Sequence, residues 1–301
     1  MKAIVYEEFG GPEVLRLAEV EEPHAGPGQV RIKVVTIGVN PIDYKTRRGW
    51  MQHLIPATFP FTPGAEAAGI VDEVGEGVTG IAVGDEVLGL TVTGSYAQYA
   101  LATDVSLKPA GLDWETAAGL PAAAETSERV LDLLKVAKGE TLLVHGAASA
   151  VGSIGVQLAV ARGAIVIGTA SEANHGFLRS LGAAPILYGD GLVDRVRAAA
   201  PQGVDAVYDV TGYDVLEASI QLRGTTDRIV TIADLRADEV GVTFADGNDR
   251  RFGPALAEYA RLASEGRLRV RIDRSLPLAD AAAAQALSEA GHPHGKLVLH
   301  P

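Results

Sequence analysis

The rhythm of apolar and polar positions changes twice along this chain. Up to about residue 110 the apolar runs are short and broken by glycine and proline. Strands are predicted over Met1–Tyr6, Val30–Ile37, Ala67–Val74, Glu86–Leu90 and Tyr96–Ala100, with turns at Pro27-Gly28, Pro63-Gly64, Gly75-Glu76-Gly77 and Gly84-Asp85. Short strands punctuated in this way predict a barrel-like β domain. From Trp114 the texture becomes alanine-rich helix, broken at Pro121. Between Thr141 and about Glu265 apolar strands alternate with helices, at Thr141–Val144, Ala164–Gly168, Pro185–Leu187, Val204–Tyr208, Arg228–Ile232 and Val240–Phe244. That alternation predicts a doubly wound parallel sheet, so the fold class is α/β. The tail from Leu268 returns to β character around a short helix at Leu278–Ala290 and is expected to rejoin the first domain. The expected division is residues 1–117 with 267–301 for the β-rich domain and 118–266 for the α/β domain.

The stretch Thr141–Ser171 narrows the α/β part. An apolar strand leads into a turn of small residues, Gly146–Gly152, then a helix over Val151–Ala161 and a second apolar strand. Such a unit suits a dinucleotide: the turn lets backbone N–H groups approach a pyrophosphate, and the helix N-terminus adds partial positive charge. The usual G-x-G-x-x-G reads Ala147-Ala148-Ser149-Ala150-Val151-Gly152 here, so only the third glycine is kept. Taken alone, the turn fits a dinucleotide site or an ordinary strand-to-helix turn that binds nothing. The acidic ribose ligand of NAD-type sites belongs about 20 residues past the turn. Ser171 stands there, followed by Glu172. A serine leaves room for a 2′-phosphate, with His175, Arg179 and Tyr188 as candidate donors, whereas Glu172 would repel it. The balance favours NADPH over NADH. His175 and Arg179 read equally well as a solvated helix face.

Composition then limits the partners. The chain has 301 residues, 47% hydrophobic and 21% charged, enough for two domains. Its 26 Lys+Arg against 38 Asp+Glu give a net charge of −12 without a basic run, so no nucleic acid and no anionic membrane is expected as partner. An anionic cofactor must be held by backbone amides and a few local cations. The absence of cysteine excludes disulfides and thiolate-ligated zinc. No signal-peptide pattern opens the sequence, and no apolar run reaches the ~20 residues of a membrane span, so a cytoplasmic protein is expected.

Two further motifs carry candidate chemistry. In GVNPIDYKTRRG, Gly38–Gly49, Pro41 fixes a turn after a strand, and Asn40, Asp43, Tyr44 and Lys45 cluster at the strand end. Asn40 and Asp43 read equally as turn caps. In TPGAEAAGIVDEVGEGV, Thr62–Val78, Glu66 lies among small and apolar residues and reads as a satisfied structural carboxylate.

These two motifs, then GSYAQY, the AASAVG turn and GKLVL near the end, follow in one order. Together they resemble the medium-chain dehydrogenase/reductase superfamily, in its zinc-free quinone oxidoreductase branch, over essentially the whole chain. The resemblance implies a GroES-like catalytic domain plus a Rossmann domain, with the active site in the cleft between them. In zinc alcohol dehydrogenases of this superfamily a cysteine matches Asn40, and a histidine matches Ala65, just before the glutamate matching Glu66. The four-cysteine structural zinc lobe is also absent. No zinc is therefore expected. Without a Lewis acid, hydride removal from an alcohol is hard, whereas a quinone or enone spreads the developing charge through its conjugated system.

The resemblance also implies site residues. Asn40 is expected near the nicotinamide and the substrate carbonyl, and Thr126 faces the nicotinamide; the family's Thr-Ala reads Thr126-Ser127 here. Tyr44 and Lys45 join Asn40 as candidates for bonding a developing oxyanion. Further cofactor contacts are expected from Ser149, Ala150, Val151, Gly152, Ser171, His175, Tyr188, Gly212, Thr231, Ile232, Ala233, Thr243, Phe244, Gly295 and Lys296. His175 stands where the family often has lysine. A tyrosine common just after the glycine matching Gly49 is replaced by Trp50-Met51. Tyr44 is a candidate substitute for its hydroxyl, and Trp50 reads either as packing at the rim or as a platform for a flat acceptor. The expected function is NADPH-dependent hydride transfer to a quinone or activated enone, without zinc, in a homodimer paired through the edge strand Val240–Phe244. The rivals are an enoyl-thioester reductase on the same scaffold, which the acidic balance disfavours, and a non-catalytic NADPH-binding sensor. An RNA-binding role lacks any aromatic-basic motif.

Overall fold

The computed structural model describes residues 1–247, 255–291 and 293–301. The chain forms two compact units, Met1–Ala122 with Phe252–Pro301, and Ala123–Arg251.

The first unit opens with an antiparallel pair, β1 (Lys2–Val5) and β2 (Arg16–Glu19). In β3 (Val30–Val39), Val30, Ile32 and Val34 point inward in alternation, as a strand with one buried face requires. Pro41 then starts α1 (Pro41–Arg47) at a position where its missing N–H costs nothing. The strands β4 (Glu66–Val74), β5 (Glu86–Thr91) and β6 (Tyr99–Leu107) follow as antiparallel neighbours, and β6 returns to pair with β3. The four strands β3–β6 thus close on themselves. The short helix α2 (Trp114–Gly119) is capped by Asp113, whose carboxylate accepts the Thr116 N–H at 2.7 Å.

After α3 (Pro121–Leu133) the second unit alternates strand and helix as far as β11. It runs β7 (Thr141–His145), α4 (Ala150–Ala161), β8 (Ile165–Thr169), α5 (His175–Ser180), β9 (Ala184–Ile186), α6 (Leu192–Ala199), β10 (Ala206–Asp209), α7 (Leu216–Arg223), β11 (Ile229–Thr231) and β12 (Thr243–Phe244). Every pairing is parallel, in the order β12-β11-β10-β7-β8-β9. This is the Rossmann order, with β7 central and all five of its residues buried.

The tail adds α8 (Ala255–Ser264), β13 (Ile272–Pro277), α9 (Ala281–Glu289) and β14 (Lys296–His300). β14 pairs antiparallel with β3, placing Leu297 opposite Val39, so the tail does rejoin the first sheet.

Three details differ from the sequence reading. The strand expected at Tyr96–Ala100 begins at Tyr99, because Tyr96 is buried with its hydroxyl on Asp43. The strand expected at Val240–Phe244 shrinks to Thr243–Phe244; Ala237–Val240 makes a 3₁₀ turn and Gly241, at φ +73°, breaks the extension. The helix α8 packs on β6 and belongs with the first unit, whereas the sequence division put it in the second. Among the described residues no helix is long and apolar enough to cross a membrane.

Candidate active site

In the first unit three polar side chains from distant segments meet in a buried cluster. Asn40 follows β3, Glu66 starts β4 and Lys296 starts β14; they are 6%, 0% and 1% exposed. Lys296 donates from Nζ to Asn40 Oδ1 at 2.6 Å and also to Glu66 Oε1. Asn40 Nδ2 donates to the same Glu66 oxygen at 2.8 Å, and Glu66 Oε2 accepts the Ala122 N–H at 2.7 Å. These bonds fix the Asn40 amide. Its oxygen faces the ammonium, one N–H faces Glu66, and the second N–H has no partner among the described residues. Gly38 makes room for the arrangement: a Cβ there would lie 2.2 Å from Glu66 Oε1 and 2.7 Å from the Ala118 carbonyl. Glu66 is thus the satisfied carboxylate read from the sequence.

Behind Asn40 lies Asp43. Its Oδ2 accepts the Asn40 backbone N–H at 2.8 Å and the Tyr96 hydroxyl at 2.9 Å. Asp43 therefore caps α1, while the Asn40 side chain turns away from the helix. Burial pushes the Asp43 carboxyl up to about 7, outweighing the two hydrogen bonds and the Lys296 charge that favour the anion. On the far side of α1, Arg47 is fully buried and donates to Gln285 Oε1 at 2.7 Å, the Gly10 carbonyl at 2.6 Å and Glu289 at 2.9 Å. Of the other residues expected here, Tyr44 meets Trp50 edge-on with ring centroids 6.2 Å apart, and Trp50 is half exposed. Lys45 lies one residue on along α1.

In the second unit the turn after β7 fits a dinucleotide. Gly146 turns at φ +71°, and a Cβ on Gly152 would lie 2.3 Å from the Gly146 carbonyl, so only glycine lets α4 start this close to the strand. Ala150, Val151 and Gly152 form the first turn of α4. Ser149 is its N-cap: its hydroxyl oxygen accepts the Gly152 N–H at 3.0 Å. Ser127, where the family usually has alanine, donates to the Val151 carbonyl at 3.1 Å and ties α3 to that same turn. Beside it, the Thr126 hydroxyl approaches Glu125 at 3.4 Å.

At the next strand ends, Ser171 precedes a 3₁₀ turn and its hydroxyl accepts from Asn174 at 3.1 Å. His175 Nε2 faces the Ala170 carbonyl at 3.3 Å, so that nitrogen carries the proton. Tyr188 is 60% exposed in the loop after β9. The loops after β10 and β11 share one organiser that sequence reading missed. Asp209 Oδ1 accepts from the Thr211 N–H and hydroxyl, both at 2.9 Å, and from the Gly212 N–H at 3.2 Å; Oδ2 accepts the Thr231 hydroxyl at 2.7 Å. Gly212 packs so closely on Ala233 that a Cβ would lie 2.9 Å from its carbonyl carbon. Ile232 donates its backbone N–H to the Asp209 carbonyl at 3.1 Å. Thr243 and Phe244 pair with Val230 and Thr231 as β12. Gly295 precedes β14 against the Arg271 carbonyl.

Three of the residues expected at the cofactor have side-chain bonds within the protein. The Ser149 hydroxyl caps α4. The Thr231 hydroxyl is buried between Asp209 and the N–H groups of Ala233 and Asp234. The Lys296 ammonium is spent on Asn40 and Glu66. Asp209 left no signal, because an acid at a strand end reads as a turn residue. The Ser127 departure was visible, but its partner on α4 was not.

Residues 26–110 match the model of the alcohol dehydrogenase GroES-like domain, and 181–299 that of the zinc-binding dehydrogenase family. A quinone oxidoreductase of Lama guanicoe is 32% identical over 99% of this chain and 97% of its own. An NADPH-dependent alkenal/one oxidoreductase of Arabidopsis thaliana is 31% identical over 100% of this chain and 80% of its own. The chain belongs to the medium-chain dehydrogenase/reductase superfamily, in its quinone oxidoreductase branch. The solved Escherichia coli quinone oxidoreductase complexed with NADPH superposes with a TM-score of 0.89 at 26% identity, covering all of both chains. The chain is thus a quinone oxidoreductase-like, NAD(P)-dependent enzyme. The zinc of the wider superfamily does not fit these residues. The position matching the zinc cysteine is Asn40, the ammonium of Lys296 already sits between Asn40 and Glu66, and every oxygen of the cluster is taken by a hydrogen-bond donor.

Proposed function

We propose that this enzyme transfers a hydride from NADPH to a quinone or activated enone without a metal. The observation that carries this reading is the fixed Asn40 amide, held by a cation on its oxygen with one N–H left for a ligand. A bound NADPH supplies the hydride. Backbone N–H groups of the first turn of α4 and the loops after β8, β9, β10 and β11 hold the dinucleotide, at the carboxyl ends of a parallel sheet. The relaxed turn of Ser149, Ala150 and Val151 is small enough to admit a pyrophosphate. Ser171, without a carboxylate, accommodates the 2′-phosphate, with His175, Arg179 and Tyr188 around it.

Asn40 donates its second N–H to the acceptor oxygen as negative charge develops there. Lys296, bonded to the amide oxygen, draws density from the amide and strengthens that donor. Glu66 balances the ammonium and keeps the amide from rotating. Tyr44 and Lys45 serve the same oxygen, Trp50 offers a face for a flat acceptor, Thr126 positions the nicotinamide, and solvent supplies the proton. The alkenal/one relative supports the enone arm, and the acidic chain argues against a phosphate-bearing carrier substrate. A homodimer paired through β12, in the cytoplasm, completes the proposal.

The test is NADPH consumption, followed spectroscopically, against a panel of quinones, enones and enoyl thioesters. Turnover of small quinones or enones is expected. Turnover of crotonyl-CoA alone would replace this reading with an enoyl-thioester reductase, and NADPH binding without any turnover would replace it with a sensor.

A further inference from the structure

The loop after β9, Leu187–Asp190, stands at the carboxyl end of a parallel strand, where such sheets bind ligands. Its four consecutive carbonyls converge on one side chain. Arg195, on α6, donates Nε to the Leu187 carbonyl at 3.0 Å and Nη1 to that of Asp190 at 2.7 Å. Its Nη2 donates to the carbonyls of Tyr188 and Gly189, both at 3.1 Å. Gly189 and Gly191, at φ +84° and +75°, let the backbone wrap this closely. The side chains of the loop do little to hold it, since Leu187 and Tyr188 are 42% and 60% exposed. Its shape therefore depends on the guanidinium.

We propose that Arg195 is the positioning residue for the adenosine end of the dinucleotide. By gathering the carbonyls of Leu187–Asp190 it holds the loop in the shape that presents Tyr188, and so sets NADPH affinity and the preference over NADH. This rests on the second unit being the NADPH-binding one. Only arginine suits the role: its planar fork spreads five donors along an arc, whereas lysine offers three from one point. Four backbone carbonyl oxygens, rather than a carboxylate, face the Arg195 guanidinium. Four of its five N–H donors go to the loop, so it acts through Tyr188 rather than by gripping phosphate.

The test compares the wild type, Arg195→Lys and Arg195→Ala by direct titration of NADPH and NADH, following cofactor fluorescence, with circular dichroism to check folding. Both variants are expected to raise the NADPH Kd about five- to tenfold, the loss of roughly one net hydrogen bond. NADH binding changes little, and turnover at saturating NADPH holds. Guanidinium ion, well below denaturing concentration, restores NADPH affinity to Arg195→Ala, and sodium chloride at equal ionic strength does not. Wild-type affinity in Arg195→Ala overturns the proposal. So does wild-type affinity in Arg195→Lys, since charge alone would then suffice. Equal losses for NADPH and NADH overturn the specificity claim. A wild type that binds no NADPH at all would instead sink the functional reading, before any variant is compared.

Discussion

Lys296 donates to the side-chain oxygen of Asn40 at 2.6 Å, and that bond decides which way the Asn40 amide faces. Replacing the ammonium with Lys296→Met leaves Glu66 buried without its ion partner, at a cost of about 3–5 kcal/mol. It also removes one of the two side-chain bonds that fix the amide. Urea denaturation should show the stability loss, and quinone turnover should fall more than cofactor affinity.

Asn40→Ala removes the proposed oxyanion donor but leaves the pair of Lys296 and Glu66 intact. Turnover of a small quinone should drop by about 10²-fold, in the range seen when one such donor is lost. NADPH affinity, measured by titration, should hold. Unchanged turnover would take Asn40 out of the chemistry.

Gly38→Ala tests the packing that makes the cluster possible. The added methyl collides with Glu66 and the Ala118 carbonyl, so the carboxylate must leave its place. A loss of about 1–3 kcal/mol is expected for the overpacking, read as a lower melting temperature.

Ser149→Ala removes the cap of α4 and should cost about 1 kcal/mol of stability. Because the hydroxyl oxygen is engaged by Gly152, NADPH affinity should change little. A large loss of affinity without a loss of stability would return Ser149 to the phosphate.

The two units should respond to acid in opposite senses. Asp43 in the folded chain sits at about 7, above its ordinary 3.8. Between those values the folded state holds a proton that the unfolded state has lost, so the first unit loses stability as pH rises through the window and is level above it. His145 behaves the other way. It is buried on β7 and donates from Nε2 to Ser219 at 3.1 Å, since the Ser219 hydroxyl is given to the Val215 carbonyl. Burial pushes its imidazole down to about 4, from 6.5. Its contribution is full above the ordinary value and is lost as pH falls toward 4. Hydrogen exchange, corrected for intrinsic rates, should show protection in β7 weakening and protection in β3 strengthening as pH drops from about 6.5 to 4.5. Asp43→Asn should flatten the response of β3.

Much of this was legible in the sequence, and the limits have physical causes. The alternation after Thr141 announced the parallel sheet, because the central strands β7 and β10 are buried along their whole length and read as continuous apolar runs. The rejoining tail could be read from its return to β character. The strand at Tyr96 was misplaced because an aromatic in a β-rich stretch looks the same whether it joins a ladder or fills a core. Asn40 and Glu66 could be singled out by motif, but the third member of the cluster could only be assigned to the cofactor. Nothing local reveals that Lys296 faces inward, since its partners lie 256 and 230 residues away. Asp209 and Arg195 were missed for a related reason: their work is done on backbone groups, which every sequence has.

The separation between Glu66 and Lys296 also sets an order of events during translation. Chains emerge from the ribosome at roughly 5–20 residues per second, and compact units fold as they appear. The second unit is one continuous stretch and can complete itself before the tail exists. The first unit cannot, because a carboxylate that needs an ammonium must wait for a strand made 230 residues later. Until β14 arrives, Glu66 is held in a half-made barrel with no counter-charge, and the amide of Asn40 has nothing to face. The nascent chain would thus acquire its proposed nucleotide-binding half first and its proposed reactive half last, and a stall between the end of the second unit and Lys296 would leave an intermediate with the former but not the latter.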